Sequence, residues 1–345
     1  MPLPKKLSES LEQELKLQAE ALGFDVCGIA SAQEVSHKAY FMKWLQEGKH
    51  AEMGWLARNP NLRTDPRNVL EGCKSVVVLG TNYYQPNPDR RGKISKYALG
   101  KDYHEILPQR VRKISDWMQN QGGHQRAYTD TGPVMEKVIA ELSGIGWQGK
   151  STILIHRRKG TWLFLSTILT TLDLEADVPE KNHCGSCERC IHACPTDAIT
   201  APYQLDARRC IAYLTIEHPG SIPMEFREAI GDRLFGCDDC LDVCPWNKWA
   251  QQTREAAFTA IERPDLREML QWDEQTFRNA FRKTPVFRLK WHRWIRNICV
   301  VLGNIGELED VPAVERIADA FPDDMVREHA CWAINRIKLR ATDNL

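Results

Sequence analysis

The sequence predicts an α+β protein of three parts: a mixed α/β domain over residues 1–175, a cysteine-rich module over residues 176–250 and an α-helical domain over residues 251–345. Short β-branched segments alternate with amphipathic ones in the first part. Eight of the twelve cysteines fall between Cys184 and Cys244, and the last part is amphipathic with a helical period. A chain of 345 residues is long enough for two or three such domains.

The first part consists of segments that resemble buried strands and surface helices. Apolar residues at helical spacing predict a helix, and short β-branched runs near glycine predict strands. A basic turn, RRKG, joins two apolar segments and predicts a hairpin. The predicted elements are a helix over Leu7–Leu22, strands over Phe24–Ala30 and Ser75–Tyr84, a helix over Ile106–Asn120 that starts near Pro108, and a hairpin of Thr152–His156 with Thr161–Ile168.

The last ~50 residues contain three amphipathic segments around a turn marked by glycine and proline. This pattern resembles a HEAT-type helical repeat. One and a half such repeats do not form a stable core alone, so we expect the segment to pack on the rest of the chain.

The overall composition is ordinary for a globular protein and excludes a strong global charge. Hydrophobic residues make up 43% and charged residues 27%, and 46 basic residues balance 46 acidic ones. No apolar stretch approaches the ~20 residues of a membrane span, and the first residues lack the apolar region of a secretory signal. We therefore expect a cytoplasmic protein without a membrane partner, in which clustered cysteines bind metal rather than form disulfides.

The cysteine spacing is that of a bacterial ferredoxin with two 4Fe–4S clusters. The first run is Cys184-x2-Cys187-x2-Cys190-x3-Cys194-Pro195, and the second is Cys237-x2-Cys240-x3-Cys244-Pro245. A full second copy needs a cysteine at position 234, which is Leu234. Cys210 is the one other cysteine inside the module, so it is expected to be the eighth ligand.

In such pairs of runs the fourth cysteine of each run ligates the other cluster. This rule assigns Cys184, Cys187, Cys190 and Cys244 to cluster one, and Cys194, Cys210, Cys237 and Cys240 to cluster two. Structural zinc at the C-x2-C pairs is the alternative, but zinc sites lack the x2-x2-x3-CP run. Four other cysteines have no partner spacing and are interpreted as free core residues: Cys27, Cys73, Cys299 and Cys331.

Several strings outside the cysteine runs carry a family resemblance over nearly the full length of the chain. They are KYALGKDYH (Lys96–His104), TDTGPVMEK (Thr129–Lys137), GIGWQGKSTILI (Gly144–Ile155) and CPWN (Cys244–Asn247). In their order and spacing the chain resembles the epoxyqueuosine reductases, cobalamin-dependent enzymes that complete the queuosine base of tRNA. The resemblance implies a base-off cobalamin in the α/β domain, with a fold similar to flavin nitroreductases and to the cofactor domain of reductive dehalogenases.

The residues around His104 bear on whether a histidine ligates the cobalt. Base-off enzymes that ligate cobalt with histidine carry D-x-H-x-x-G, whereas Asp102-Tyr103-His104 is followed three residues later by Leu107 instead of glycine. This difference argues against a histidine ligand, in agreement with the family, which does not use that motif.

The family resemblance gives Asp130 the role of catalytic proton donor. Without it, a carboxylate before Gly132-Pro133 is typical of a turn residue that caps its neighbours. The implied reaction opens an epoxide and builds negative charge on oxygen, which a nearby acid neutralises. An acid active near neutral pH needs a raised pKa, which burial beside an apolar corrin favours. Further cofactor-binding candidates are Met53, Tyr97 and His156, for each of which packing is an equal alternative.

A segment without acidic residues, between Glu274 and Glu307, predicts a tRNA-binding surface. Its basic residues can bind phosphates and its aromatic residues can stack on unpaired bases. The alternative is a helix pair with a basic solvated face and a buried aromatic face. The candidates for tRNA contact are Arg282, Lys283, Arg288, Lys290, Arg293 and Arg296.

Three other classes of protein share some of these sequence features. A reductive dehalogenase shares the cofactor fold and both clusters but needs neither the helical tail nor the basic segment. A ferredoxin-type electron carrier does not need ~180 residues before the cysteine module. A cobalamin-trafficking protein does not need clusters. The expected partners are tRNA carrying epoxyqueuosine and an external low-potential electron donor, and a monomer is the default expectation.

Overall fold

A computed structural model describes residues 10–343 of the chain. The strands are β1 (Val26–Ser31), β2 (Ser75–Asn82), β3 (Lys93–Ile94), β4 (Gln125–Tyr128), β5 (Trp147–Gln148), β6 (Leu154–Ile155), β7 (Leu163–Thr170), β8 (Ile199–Ala201), β9 (Gln204–Leu205) and β10 (Arg233–Phe235). The helices are α1 (Leu11–Ala21), α2 (Lys38–Gln46), α3 (Gly54–Ala57), α4 (Pro60–Thr64), α5 (Tyr103–Asn120), α6 (Glu136–Leu142), α7 (Arg189–His192), α8 (Ile211–Ile216), α9 (Met224–Ile230), α10 (Asp239–Asp242), α11 (Leu266–Met269), α12 (Glu274–Phe281), α13 (Trp291–Ile305), α14 (Val311–Ala320) and α15 (Asp324–Asp343). The protein is thus a mixture of helices and strands, as the α+β prediction requires.

The first part is built on a four-stranded antiparallel sheet of order β1-β2-β7-β4. Every residue of β2 is buried, and its side chains alternate between the two faces. Val77 and Leu79 pack with α1 and α5, whereas Val76 and Val78 pack with α6. The sheet therefore lies between two helical layers, and the predicted strands near Phe24 and Ser75 are confirmed as β1 and β2.

The predicted hairpin of residues 152–168 is wrong. β6 pairs with β5, whereas β7 pairs with β2 on one edge and β4 on the other. One isolated bridge, His156 to Gly160, is what joins the two segments. β6 takes β5 as its antiparallel partner instead, and β7 joins the four-stranded sheet between β2 and β4, so the two segments of the predicted hairpin belong to different sheets.

Helix α5 begins at Tyr103, ahead of the start predicted near Pro108. The side chain of Asp102 accepts a hydrogen bond from the backbone N–H of His104 at 3.0 Å and caps the helix. Pro108 lies inside the helix. The predicted first helix is confirmed as α1, which Ser10 caps, and the part of that prediction around Leu7 lies outside the described residues.

The C-terminal part consists of α13, α14 and α15, with α15 packed against both of the others. Trp294 and Ile298 of α13 share a hydrophobic core with Ile94 of β3 and Leu234 of β10. The expectation that this segment packs on the rest of the chain is confirmed. Cys73 and Cys299 are buried as predicted, but Cys331 is exposed because it lies on the solvent side of α15. Across residues 10–343, no helix is both long and apolar enough to span a bilayer.

Candidate active site

Asp130 lies in the loop between β4 and α6, with a left-handed backbone (φ 62°) that aspartate tolerates better than most residues. Its backbone N–H donates to the side chain of Glu136 at 3.0 Å. The preceding Thr129 is buried, and its hydroxyl lies 2.8 Å from that of Ser166 on β7. The loop is thus held at both ends, while the Asp130 side chain is 55% exposed.

The first turn of α5 holds the Asp130 carboxylate. The Tyr103 hydroxyl donates to Asp130 Oδ2 at 2.7 Å, and His104 Nε2 lies 3.4 Å from the same oxygen. His104 Nδ1 lies 2.8 Å from Asp102, and Arg288 Nη2 approaches both ring nitrogens at 3.0 and 3.1 Å. Asp102, His104 and Asp130 therefore form a hydrogen-bonded chain that Arg288 contacts.

Within these hydrogen bonds, the pKa of Asp130 is shifted in the direction opposite to the one expected for a proton donor. The hydrogen bond from His104 lowers the pKa of Asp130, and this outweighs the opposing effect of burial. Burial lowers the pKa of His104, but its bonds to Asp102 and Asp130 raise it overall. In the protein alone Asp130 is thus favoured as a carboxylate, opposite to the raised pKa expected from the sequence.

Asp130 lines a cavity of about 610 Å³. Burial and the charge of Asp130 raise the pKa of Glu136 to about 8, and burial lowers the pKa of Lys137. The wall combines an apolar part with eight polar or charged side chains, which suits a large ligand with many hydrogen-bonding groups. The apolar lining is Phe41, Trp55, Leu56, Val134, Met135 and Val138, and the polar lining is Arg63, Asp130, Thr131, Glu136, Lys137, Gln148, Glu217 and Arg288.

The other candidate cofactor residues lie outside this lining. Tyr97 is close, with its ring centroid 6.5 Å from that of Tyr103, and Met53 caps α3, which contributes Trp55 to the wall. His156 is engaged in its own turn, where Nδ1 accepts hydrogen bonds from the N–H groups of Arg158 and Lys159, both at 3.0 Å. Its role in the pocket stays a prediction that no contact supports.

Two cavity residues that sequence reasoning did not select, Glu136 and Lys137, belong to the TDTGPVMEK string. Their position directly after the Asp130 loop was the available signal. Trp55 follows the candidate Met53 by two residues in the same turn, and Gln148 belongs to the GIGWQGKSTILI string, so both lie in segments that the sequence had already marked.

The first cysteine group surrounds a cavity of about 290 Å³. Cys184, Cys187 and Cys190 come from the first run and Cys244 from the second, and all four line the cavity together with Cys240. The short helices α7 and α10 that carry the runs pack on each other. Burial raises the pKa of the Cys244 thiol to about 11, and the charges of Cys184, Cys187 and Cys190 add to this effect.

The second group consists of Cys194, Cys210, Cys237 and Cys240. Burial raises the pKa of Cys240 far above its ordinary value, and the charges of the other three raise it further. Burial likewise raises the pKa of Cys210 to about 11, with a contribution from Cys194. The structure therefore brings Cys244 to the first run and Cys194 with Cys210 to the second, the same grouping as the crossing rule predicts.

The two groups differ from a single-ion site. Nowhere between residues 10 and 343 are three or more His, Cys, Asp or Glu side chains arranged to hold one metal ion. Eight thiols in two groups of four are the ligand set that two 4Fe–4S clusters need, and the first group surrounds an open cavity. The charges of Cys240 and Cys210 in the second group act on Lys137, a residue of the Asp130 cavity, and oppose the lowering of its pKa by burial.

Side chains between the cysteines fix the second run against the α/β domain. The Asp238 carboxylate accepts hydrogen bonds from the Ser95 hydroxyl and, at 2.7 Å, from the backbone N–H of Lys96. Lys96 Nζ donates to Asp242 at 2.6 Å and lies 4.8 Å from the centre of the Trp162 ring. The KYALG string thus positions the second run through a buried lysine.

The predicted tRNA segment divides into an outer and an inner set. Arg282, Lys283, Arg288 and Lys290 are exposed. Arg293 is half-buried and donates to the carbonyls of Ile216 and Glu217, both at 3.1 Å.

The prediction of tRNA contact for Arg296 is wrong. Its side chain is 0% exposed and donates to the carbonyls of Leu214, His218 and Gly220 at 3.0, 2.9 and 2.6 Å. The aromatic residues Phe277, Phe281 and Trp294 are also buried, whereas Phe287 is exposed. The segment therefore has a basic outer face and an aromatic inner face, which was the alternative interpretation.

Comparison with known proteins agrees with these features. A family profile described as "4Fe-4S double cluster binding domain" matches residues 183–247, and one described as "Epoxyqueuosine reductase QueG, DUF1730" matches residues 63–131. The epoxyqueuosine reductase of Xanthomonas campestris pv. campestris is 40% identical over 334 residues, covering 93% of this chain and 94% of that protein. That of Pseudomonas aeruginosa is 38% identical over 341 residues, covering 94% of each.

Among solved structures, an epoxyqueuosine reductase with a tRNA-TYR epoxyqueuosine-modified tRNA stem loop superposes with a TM-score of 0.89 at 29% identity, covering 95% of this chain and 90% of that one. The match spans the sheet, the cysteine module and the C-terminal helices together. The chain belongs to the epoxyqueuosine reductase family.

Proposed function

We propose that this protein reduces epoxyqueuosine to queuosine at the wobble position of tRNA, the final step of queuosine biosynthesis. The observation that carries the proposal is the near full-length similarity to epoxyqueuosine reductases, one of them seen with its modified stem loop. The position of Asp130 also supports the proposal. Its carboxyl group lines a cavity near the second cysteine quartet, and the reaction needs a proton and electrons at one place. A tRNA substrate implies a cytoplasmic reaction.

We assign the electron path to two 4Fe–4S clusters. Cys184, Cys187, Cys190 and Cys244 would hold the first, and Cys194, Cys210, Cys237 and Cys240 the second. Single electrons from an external donor would reach the Asp130 cavity through the second cluster, because that quartet is the one beside Lys137.

Cobalamin is the proposed cofactor of the cavity. The residues fit such a group: the apolar side chains Trp55, Leu56 and Val134 offer a flat ring a contact surface, and Arg63 and Gln148 offer hydrogen bonds to peripheral amides. When bound, cobalamin supplies a low-valent cobalt that reduces an electrophilic carbon. Met53 directly precedes α3, which supplies Trp55 and Leu56 to the wall, and Tyr97 lies against Tyr103, which binds Asp130, so both are proposed as supporting residues.

Asp130 would deliver a proton to the epoxide oxygen as negative charge builds there. Tyr103 and His104 hold the carboxyl in place, and the left-handed backbone aims it into the cavity. Over the whole reaction the epoxide takes up two electrons and two protons, releases its oxygen as water and leaves an alkene. Covering the exposed carboxyl with ligands would remove water from it and raise its pKa toward the value an acid needs.

We assign a role to each part of the chain. Residues 1–175 form the cofactor domain, with a nitroreductase-like fold, and residues 176–250 form the cluster module. Residues 251–345 form the HEAT-like domain, whose exposed Arg282, Lys283, Arg288 and Lys290 would contact tRNA phosphates. Arg288 also lines the cavity, so it connects this face to the Asp130 site.

The test is turnover of an anticodon stem loop that carries epoxyqueuosine, with anaerobically reconstituted protein and photoreduced deazariboflavin as the electron source. We expect conversion to queuosine that depends on added cobalamin. Iron and acid-labile sulfide near eight per chain establish that the clusters are loaded. Conversion without cobalamin would contradict the cofactor, and no conversion by loaded protein with cobalamin would contradict the function.

A further inference from the structure

The surface beside the first cysteine quartet carries a group of exposed cations. Arg189 follows Cys187 by two residues, and Lys248 follows Cys244 by four. Arg157 and Arg158 belong to the turn before Gly160, which packs against Asn247. All four side chains are exposed. We call Arg157, Arg158, Arg189 and Lys248 the cluster-side cations.

The cluster-side cations differ from the basic residues around them in having no acidic partner. In the described part of the chain, none of the four forms an ion pair. The nearby acids are already engaged elsewhere: Glu188 lies 3.6 Å from Lys150, Asp242 2.6 Å from Lys96, and Glu180 2.8 Å from His183. The surface is thus locally positive on a chain whose net charge is zero.

An exposed tryptophan stands in the same surface. Trp249 is 56% exposed, and the Lys248 ammonium lies 4.8 Å from the centre of its ring. Tryptophan and arginine are residue types enriched in protein–protein interfaces. A shallow depression of about 790 Å³ beside it is lined in part by Arg189, His192 and Lys248, and by one carboxylate, Asp242, whose charge Lys96 already pairs.

This depression leads directly to the first cysteine quartet. Arg189, Cys244, Pro245 and Lys248 line both the depression and the cavity that the quartet surrounds. Of the second quartet, Cys194, Cys210 and Cys237 line neither the depression nor this cavity. A centre held by the first quartet is therefore the one that a partner on the surface can approach.

We propose that the cluster-side cations and Trp249 form the docking face for an acidic one-electron carrier protein. The inference rests on the proposed function and specifies its electron donor by class. Each reduced carrier gives one electron to the first cluster and leaves oxidised, and two such transfers supply the two electrons that one epoxide consumes. Opposite charge on the partner steers encounter and orients the two redox centres.

RNA is the other polyanion that a positive surface attracts. The observations favour the carrier, because the cations adjoin the first quartet rather than the Asp130 cavity, and because Arg288 and Lys290 provide a separate basic face that includes a cavity residue. An RNA contact at the cluster-side cations is a distinct outcome of the test.

The test measures cluster reduction by stopped flow, using reduced plant-type ferredoxin as the acidic carrier. The variant R189E/K248E is compared with the wild-type protein and with the matched variant R282E/K290E on the tRNA face. We expect the second-order rate constant with ferredoxin to fall about tenfold or more at low salt for R189E/K248E alone, and the difference to shrink as salt rises. Reduction by photoreduced deazariboflavin, a small uncharged donor, should stay unchanged and shows that the clusters are intact.

Equal ferredoxin rates in wild-type protein and R189E/K248E, with intact clusters, would overturn the proposal. So would a loss of stem-loop affinity in R189E/K248E as large as that in R282E/K290E, because it would make the surface an RNA contact. The proposed function is tested separately, by queuosine formation with deazariboflavin as donor. If no queuosine forms, the rates of cluster reduction by ferredoxin can still be measured. Failure of the proposed function is therefore distinguishable from failure of the docking proposal.

Discussion

The two cysteine runs have nearly the same spacing but lie in different surroundings. The first run carries Gly185, Ser186 and Arg189 between its cysteines, all exposed. The second run carries Asp238 and Asp239 instead, which bind to Ser95 and Lys96 and to Arg233 of β10. Residues between the ligands, rather than the ligands, thus decide which run faces solvent and which is fixed against the α/β domain.

Each run contributes its last cysteine to the quartet of the other run. Cys244 joins the first quartet and Cys194 the second, so each quartet needs both runs in place. The two proposed clusters therefore have a fixed mutual position, with one end at the surface and the other beside the Asp130 cavity. This arrangement suits a path for single electrons, and it gives the two quartets separable roles.

The largest expected effect comes from removing one ligand of each quartet. Cys210→Ala should remove the second cluster and abolish turnover with every electron donor, because no carrier beside the cavity remains. Cys187→Ala should remove the first cluster and abolish turnover with ferredoxin, while a small photoreductant still reaches the second. The measurement is queuosine formation with each donor, together with iron content. Ferredoxin-driven turnover that survives Cys187→Ala would show that the first quartet is not on the electron path.

Asp130→Asn should lower turnover by about 10²–10⁴-fold, the usual contribution of a general acid. The amide keeps the size of the carboxyl but has no acidic proton to transfer. Single-turnover conversion of the stem loop checks the prediction, and cluster reduction should stay normal because Asp130 is no ligand of either quartet. Asp173→Asn, at an exposed carboxylate, is the matched control that should leave conversion unchanged. Normal conversion by Asp130→Asn would remove the proton-donor role.

Lys96→Met should destabilise the contact between the second run and the α/β domain. Lys96 is 6% exposed, and its ammonium lies 3.8 Å from the buried Asp238 and 2.6 Å from Asp242. Its loss leaves Asp238 with its hydrogen bonds but without a counter-ion, at a cost of about 3 kcal/mol, the low end for a buried pair that loses one partner. Lys93→Met is the control: Lys93 pairs with Asp232 but is 54% exposed, and an exposed pair contributes about 0–1 kcal/mol. Anaerobic denaturant unfolding of the loaded protein gives both values. Equal losses in the two variants would mean that Lys96 does not anchor the run.

The sequence predicted the features that depend on short-range patterns, but not those that depend on contacts between distant parts of the chain. The cysteine grouping follows from spacing and one crossing rule, and β1, β2 and the C-terminal helices follow from periodicity. The hairpin prediction was wrong because β6 pairs with β5 while β7 joins the sheet between β2 and β4, and no local pattern within residues 152–168 reveals these partners. Arg296 failed for the same reason, since the carbonyls that bury it belong to a loop about 80 residues earlier in the chain.

The sign of the Asp130 pKa also depends on long-range contacts, and it yields the smallest expected effect. His104 lowers the pKa of Asp130, so replacing it with neutral glutamine should raise that pKa. A proton donor is active while protonated, and turnover falls as pH rises through its pKa. The fall should therefore move to higher pH in His104→Gln, while the exposed His124→Gln keeps the wild-type profile. Single-turnover rates across pH, on protein whose deazariboflavin-driven cluster reduction is normal, give the comparison. A shift to lower pH would contradict the contact with His104 as the cause of the lowered pKa of Asp130.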